Sequence, residues 1–154
     1  MIQAGKIIFL FLGFIFLQLG QASPDVKIFH LDGKDVKVTH HVDAKFYGRY
    51  SGEQGGYLLL NEDGSGEYLN DYFGYAEPSC KSGPISFNWG FLVDEYNNVV
   101  RFKRDYGFSY PVIYVSTGDS GFQGCRRKYL VDYLMVRTNG SIGVSSSDDW
   151  EKNH

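Results

Sequence analysis

The sequence predicts an all-β fold, built as a single antiparallel β-barrel or strongly coiled sandwich of about eight or nine strands. Turn-forming residues recur at short intervals, and apolar residues alternate with polar ones between the turns. Aromatic residues make up 17% of the chain and glycine contributes 19 residues, a composition typical of turn-rich β proteins. Because many short strands avoid exposed edges best by closing the sheet, a barrel is the favoured architecture.

The alternation is clearest between Ile85 and Val93. Phe87, Trp89 and Phe91 share one face of this predicted strand, because successive side chains of a strand point to opposite faces. That face must be covered either by other side chains of the protein core or by a bound ligand. The three rings therefore belong either to the packing of a small barrel or to the wall of an apolar pocket.

The first hairpin is expected at Asp32-Gly33-Lys34. A loop of three residues is predicted there, because only an odd-length loop places the apolar residues before and after it on one face. The members of that shared face would be Val26, Ile28, His30, Val36, Val38 and His40.

A second hairpin is expected at Asn139-Gly140, the dipeptide preferred in two-residue type I′ loops. Such a loop sets Met135 opposite Val144 and Arg137 opposite Ile142. It would also place the odd-numbered residues of the preceding strand on one apolar face with Ile142 and Val144. The odd-numbered residues are Tyr129, Val131, Tyr133 and Met135.

Pro111 interrupts another alternating run, formed by Phe108, Tyr110, Val112 and Tyr114. Proline has no N–H group to donate to a neighbouring strand. We therefore expect this strand at a sheet edge or beside a bulge.

Residues 1–22 are predicted to be a cleavable secretory signal peptide, followed by one β-barrel domain over residues 23–154. Lys6 precedes an uncharged run, Ile7–Leu19, and the small residues Gly20 and Ala22 suit a cleavage site after Ala22. A retained membrane anchor is the alternative, but about 20 apolar residues are needed to cross a bilayer. No cysteine lies near the site for lipid attachment. We therefore expect an exported protein, periplasmic or secreted, without stable membrane insertion after cleavage.

Cys80 and Cys125 are the only cysteines in the chain. Export would place them where disulfides form and persist, so a Cys80–Cys125 bridge is predicted. A reactive thiol is the alternative, although neither residue belongs to a Cys-x-x-Cys pair.

The charge balance argues against nucleic acid as a partner. Fifteen Lys and Arg stand against 18 Asp and Glu, a net charge of −3, so there is no basic excess to attract a phosphate backbone. The basic residues concentrate in two places, Arg101 with Lys103 and Arg104, and Arg126–Lys128. These groups either guard a sheet edge against aggregation or dock an acidic partner.

No catalytic residue, metal ligand or cofactor is predicted. Gly118–Gly121 has the sequence Gly-Asp-Ser-Gly, which resembles the nucleophile segment of trypsin-like proteases, but no matching general-base segment is present. His40 and His41 are strand neighbours that point to opposite faces. With His30 brought close, His40 would still make only two ligands, and zinc sites usually take three or four.

Several segments resemble the small lipocalin-like barrels of exported bacterial proteins, a calycin-type fold. They are Gly48-Arg49-Tyr50, Tyr57–Tyr68 with its Asn61-Glu62-Asp63-Gly64 turn, Ile85–Trp89, Asn139-Gly140 and Trp150. The resemblance spans residues 46–150, while the early Gly-x-Trp of lipocalins is absent. It implies an antiparallel barrel whose interior or mouth binds something, and it does not identify the ligand.

The function predicted from these observations is non-enzymatic binding of a macromolecule in the cell envelope, as an inhibitor or immunity protein against a hydrolase. The candidate surface is the Thr117–Gly124 loop with the residues beside it, since tyrosine-rich and glycine-rich surfaces suit recognition. Its proposed contacts are Phe122, Arg126, Arg127 and Lys128. One alternative is a lipocalin-like carrier that binds an apolar ligand through Phe87, Trp89 and Phe91. The other is a small envelope hydrolase with His30, His40 and Asp43 in one cleft.

Overall fold

The computed structural model describes residues 25–52, 55–69, 83–119, 121–122, 127–144 and 151–153. Within these residues there are eleven strands and one short 3-10 helix, Ala44–Phe46. The strands are β1 (Lys27–Leu31), β2 (Lys34–Thr39), β3 (Gly48–Ser51), β4 (Tyr57–Leu60), β5 (Ser65–Leu69), β6 (Ile85–Leu92), β7 (Phe102–Arg104), β8 (Gly107–Ser116), β9 (Tyr129–Arg137), β10 (Ile142–Val144) and β11 (Glu151–Lys152). The predicted all-β class is confirmed.

Eight of the strands form a closed antiparallel barrel. Neighbours around the barrel follow the chain in the order β3, β4, β5, β6, β8, β9, β10, β11, and β11 pairs with β3 to close it. The β1–β2 hairpin is attached to β6 through two pairs, Val38↔Leu92 and Thr39↔Phe91. β7 is an additional short strand beside the start of β8. The arrangement is therefore an up-and-down meander with two small additions.

The core lies inside this barrel. The alternation predicted for Ile85–Val93 is confirmed, because Phe87, Trp89 and Phe91 are at most 1% exposed and contribute to one buried cluster. Every barrel strand except β5 and β11 contributes a buried residue to this cluster, and Tyr68 of β5 packs against it partly buried. Its fully or largely buried members are Phe46, Tyr50, Leu58, Leu60, Phe87, Trp89, Phe91, Val112, Tyr114, Phe122, Leu134, Ile142 and Val144.

The first hairpin has a two-residue loop, so the predicted three-residue loop is wrong. Leu31 pairs with Lys34, and Asp32 and Gly33 both have positive φ angles, 48° and 77°. Two successive positive φ angles are the requirement of a type I′ turn, which the Asp-Gly pair satisfies. The change of register turns Ile28 out to solvent, 51% exposed, and leaves odd-numbered residues of β1 facing the barrel.

The β1–β2 hairpin lies against the outside of the barrel. Leu31 and Val38 form a second buried cluster with Ile113 of β8. Gly90 makes this approach feasible, since a Cβ atom at that position would lie 2.7 Å from Val38. At the hairpin tip the Tyr129 hydroxyl donates to Asp32 Oδ2 at 2.6 Å. The hairpin therefore covers part of the outer surface of β6, β8 and the beginning of β9.

The second hairpin also differs from its prediction. The Arg137 N–H group donates to the Ser141 carbonyl at 2.9 Å across a loop of three residues, and Gly140 takes a φ of 86°. A three-residue loop that ends in a left-handed glycine is the common alternative to a type I′ loop. Ile142 consequently faces Val136, where Arg137 was expected.

This register decides which face of β9 is buried. Leu134 is fully buried opposite Val144, whereas Val131 is 55% exposed on the outside. The expectation that Tyr129, Val131, Tyr133 and Met135 share the face of Ile142 and Val144 is therefore wrong. Met135 is buried, at 7% exposure, but on the other face of the strand. Both faces of β9 carry apolar residues, so only the loop geometry could select between them.

β8 is not the edge strand that Pro111 led us to expect. It pairs with β9 along its length, and on its other side it pairs with β7 near Ser109 and with β6 from Val112 onward. Pro111 lies between these two pairings. The strand exchanges neighbours at this point, so a residue without an N–H group is tolerated.

Candidate functional site

Aromatic side chains fill the interior of the barrel. The Trp89 ring contacts Phe91 edge-on with centroids 5.8 Å apart, and the Phe87 ring lies 5.1 Å from that of Tyr114. Trp89 Nε1 donates to the carbonyls of Asn61 and Ser65 at 3.1 and 3.0 Å. The residues named for the apolar-carrier alternative are thus held by one another and by the β4–β5 turn.

One aromatic side chain packs toward each end of this interior. Phe46, from the 3-10 helix, contacts Phe91 and Tyr110 at centroid distances of 4.9 and 5.1 Å. At the other end Phe122 lies 5.8 Å from Phe87 and is 0% exposed. The ring predicted to contact a partner is therefore a member of the core. Its role is to anchor the loop from the inside.

The Tyr114 hydroxyl is a buried polar group of this interior. Tyr114 is 2% exposed, and its hydroxyl has no hydrogen-bond partner among the described residues. Asp132 is an even-numbered residue of β9, on the face that carries Leu134, and it pairs with Val112 on β8. Burial, and secondarily the Asp132 carboxylate, raises the pKa of Tyr114 well above its usual range. This phenol therefore stays neutral.

The residues named for the hydrolase alternative have separate neighbours. His30 Nδ1 is 2.5 Å from Asp35 Oδ1 on the β1–β2 hairpin. His40 packs against His41, with ring centroids 4.3 Å apart. Asp43 accepts from the Lys45 N–H group at the start of the 3-10 helix. The part of the chain that the structure describes contains no group of three or more potential metal ligands.

His40 is buried, and its surroundings oppose a positive charge. It is 5% exposed, Nδ1 has no partner among the described residues, and the ring lies against Gly64 so closely that a Cβ there would be 2.8 Å away. Burial is the main cause that lowers the pKa of His40, and Lys27 and His41 lower it further, against smaller opposing effects of Asp25 and Asp63.

The lowered pKa of His40 predicts weaker stability in mild acid. The unfolded chain takes up a proton at His40 near its ordinary pKa of 6.5, whereas the folded protein does so only at lower pH. The stabilising contribution is present above that value and is lost as the pH falls. Chemical denaturation at pH 7.5, 6.5 and 5.5 should show a smaller decline for His40→Gln than for the natural protein. Equal declines would contradict the prediction.

The Thr117–Gly124 loop is described in part. Gly121 has a φ of 59°, and a Cβ there would lie 2.4 Å from the Arg127 carbonyl oxygen, so glycine serves the turn. Arg127 and Lys128 are exposed, and Lys128 Nζ donates to the Asp119 carbonyl. Ser120 and Arg126 lie outside the described residues.

Cys80 and Cys125 also lie outside the described residues, as does the signal segment 1–22. The Cys80–Cys125 disulfide stays a prediction. No helix in the described part of the chain has the length and apolar character needed to cross a membrane.

The disulfide prediction is checked by mass. Intact protein alkylated without reduction should carry no label and should weigh two hydrogens less than the reduced chain. Peptide mapping should recover one peptide pair joined through Cys80 and Cys125. Two alkylated thiols in unreduced native protein would contradict the bridge.

The basic group formed by Arg101, Lys103 and Arg104 lies beside an exposed aromatic residue. The Arg104 guanidinium is 5.7 Å from the Phe102 ring centroid, and Nε donates to Ser109 Oγ at 3.0 Å. Phe102 is 44% exposed, and its ring lies 6.5 Å from that of Tyr133 on β9. Arg101, from the same segment, lies over the Phe108 ring at 4.9 Å.

We call the exposed surface on this side the β8–β9 outer face. It consists of Phe102, Arg104 and Tyr133, with Val131 on the same face of β9 and Arg127 just before that strand. This surface was not predicted, because the two-residue loop expected at Asn139-Gly140 placed Val131 and Tyr133 on the face of Ile142 and Val144. Glycine at the third loop position was the available signal, since a left-handed residue there suits a three-residue loop.

Comparisons with known proteins identify no relative of this chain. No family model, no curated protein and no solved structure matches the chain. The molecule is thus defined by its own geometry, as an eight-stranded antiparallel meander barrel whose described interior is packed with aromatic side chains.

Proposed function

We propose that this protein is an exported, non-enzymatic binding protein of the cell envelope that recognises another macromolecule, as an inhibitor or immunity protein does, through its outer surface. The observation that carries the proposal is the filled interior. Phe87, Trp89 and Phe91 pack against other rings, and Phe46 and Phe122 add to that packing from the two ends. Eight-stranded barrels have interiors just wide enough for side chains to fill.

Exposed aromatic residues support the choice of the outer surface. Tyr96 is 76% exposed, Tyr106 is 54% exposed and Phe102 is 44% exposed, all on the segment between β6 and β8. Aromatic and arginine side chains are enriched where protein interfaces concentrate their binding energy. Arginines 101 and 104 accompany these rings.

The lipocalin-like architecture belongs to the same proposal. An up-and-down barrel in which chain neighbours are also spatial neighbours is the arrangement that the resemblance implied. The proposal also includes export directed by the signal segment 1–22 and a disulfide between Cys80 and Cys125. The bridge would fasten the Thr117–Gly124 loop to the segment before β6.

Capture from envelope extract of the producing cells tests the proposal. The mature protein should retain a macromolecule in stoichiometric amount, and a variant with alanine at Arg126, Arg127 and Lys128 should retain less of it. Equal retention would remove this loop from the binding surface. Turnover of an envelope polymer by the purified protein, with no macromolecule retained, would overturn the non-enzymatic proposal.

A further inference from the structure

The β8–β9 outer face is partly covered by the chain itself and partly open. The β1–β2 hairpin buries Ile113 and packs against Val115 and Tyr129. Val131 is the strand partner of Ile113, yet it is 55% exposed. The β1–β2 hairpin therefore covers only the first part of β9. Beyond it the exposed apolar surface continues to Tyr133 and Phe102.

Cations lie at both ends of the open part. Arg127 is exposed just before β9 begins, and Arg104 is on β7 beside Phe102. The register places Phe102 and Arg104 opposite Ser109 and Gly107, hence on the outer side of β8. Because strands rise about 3.4 Å per residue, the stretch from Arg127 to residue 135 is about 27 Å long.

Neither arginine is neutralised within the described residues. The salt bridges there involve His30, His41, Lys45 and Arg137, and no acid pairs with Arg104 or Arg127. Ser109 holds the Nε of Arg104 and so fixes the plane of its guanidinium. The terminal nitrogens of a guanidinium held in this way suit two-point contact with a carboxylate.

We propose that the β8–β9 outer face docks an acidic protein, which places an apolar group over Val131 and Tyr133 and carboxylates against Arg104 and Arg127. An apolar centre with charged residues at its margin is the usual anatomy of a protein interface. A standard interface buries about 800 Å² per partner, and the face is about as long as the edge of a square patch of that area. This inference rests on the proposed function and names the surface and the partner's chemistry.

Site-specific photo-cross-linking in the producing cells tests the proposal. The cross-linking amino acid is placed at Val131 on the face, at Ile28 on the outward side of β1, or at Gly118 in the loop. Val131 and Ile28 are similarly exposed, 55% and 51%, so Ile28 is the matched control. We expect one protein adduct from Val131, which mass spectrometry identifies, and none from Ile28.

Charge variants then test the partner's chemistry. With the probe at Val131, Arg104→Glu and Arg127→Glu together should reduce the adduct about tenfold, because reversed charges repel carboxylates. Arg104→Lys and Arg127→Lys together keep the positive charge but lose the two-point contact, so they should reduce the adduct less than the charge reversal does. Both arginines are exposed, so the variants should keep the fold, which circular dichroism verifies.

The other outcomes of the cross-linking contradict the docking face, the acidic partner or the proposed function. Adducts from Gly118 but not Val131 would refute this face and leave the proposed function standing. An adduct at Val131 that the charge reversal does not reduce would refute the acidic partner. An adduct only with a second copy of the chain would show that the face is a dimer interface. No macromolecular adduct at any of the three positions would count against the proposed function itself.

Discussion

Trp89→Ala is expected to be the most destabilising single substitution in the barrel, lowering the free energy of unfolding by about 3–5 kcal/mol. Trp89 is 1% exposed and lies against Phe91, Tyr47 and His40. Its removal leaves a cavity that these neighbours, fixed on separate strands and loops, fill only in part. A loss of this size would consume much of the stability of a typical domain, about 5–15 kcal/mol.

The hydrogen bonds of the indole add to the loss. Nε1 donates to the carbonyls of Asn61 and Ser65, the two residues that bracket the β4–β5 turn. Trp89→Phe keeps most of the volume and removes this donor. Each carbonyl still accepts from a backbone N–H group, so the loss should cost only about 0.5–1.5 kcal/mol. Comparison of the two variants separates packing from hydrogen bonding.

Urea denaturation followed by far-ultraviolet circular dichroism measures both effects without relying on the indole signal. Tyr96→Ala is the matched aromatic control, because Tyr96 is 76% exposed and should change stability by about 0.5 kcal/mol or less. A Trp89→Ala loss no larger than that of the control would mean that the ring is not part of a close-packed core.

Gly66→Ala is expected to destabilise the barrel by about 1–3 kcal/mol. A Cβ at this position would lie 2.3 Å from the Phe87 ring and 2.5 Å from the Leu59 carbonyl oxygen. The ring could shift only by disturbing Phe122 and Tyr114, which pack against it. The carbonyl belongs to the β4 backbone, so it yields even less.

The control for that substitution is Gly83→Ala, since a Cβ at Gly83 would meet nothing within 4 Å. Both changes remove the same backbone freedom from the unfolded chain, so their difference isolates the clash. Thermal unfolding of the two variants provides the comparison. Equal melting temperatures would contradict the close approach of β5 to Phe87.

The sequence predicted the barrel well where periodicity and burial agree. Between Phe87 and Phe91 of β6 the aromatic residues occupy one face and Asn88 and Gly90 the other, so a single burial pattern was consistent with the sequence. The closed sheet followed from the number of short strands and from the need to protect edges. These features depend on local alternation, which one chain displays directly.

The pairing register of the strands was predicted less well, and the position of the candidate site depends on that register. A one-residue change of loop length exchanges the two faces of a strand. β9 has apolar residues on both faces, so its composition could not reveal that Val131 and Tyr133 point outward. The burial of Phe122 was equally hidden, because an aromatic residue in a glycine-rich loop can dock inward or outward. Only the packing on Phe87 and Tyr114 decides it.

Native mass spectrometry of the mature protein, isolated from its producing cells without denaturation, tests most directly that the barrel is a filled scaffold which binds through its surface. The account predicts a monomer mass equal to the polypeptide with its disulfide, free of any stoichiometric small molecule, and a complex with a macromolecule when isolation conditions are mild. A small apolar molecule bound one to one, and lost when Trp89 is replaced by alanine, would contradict it.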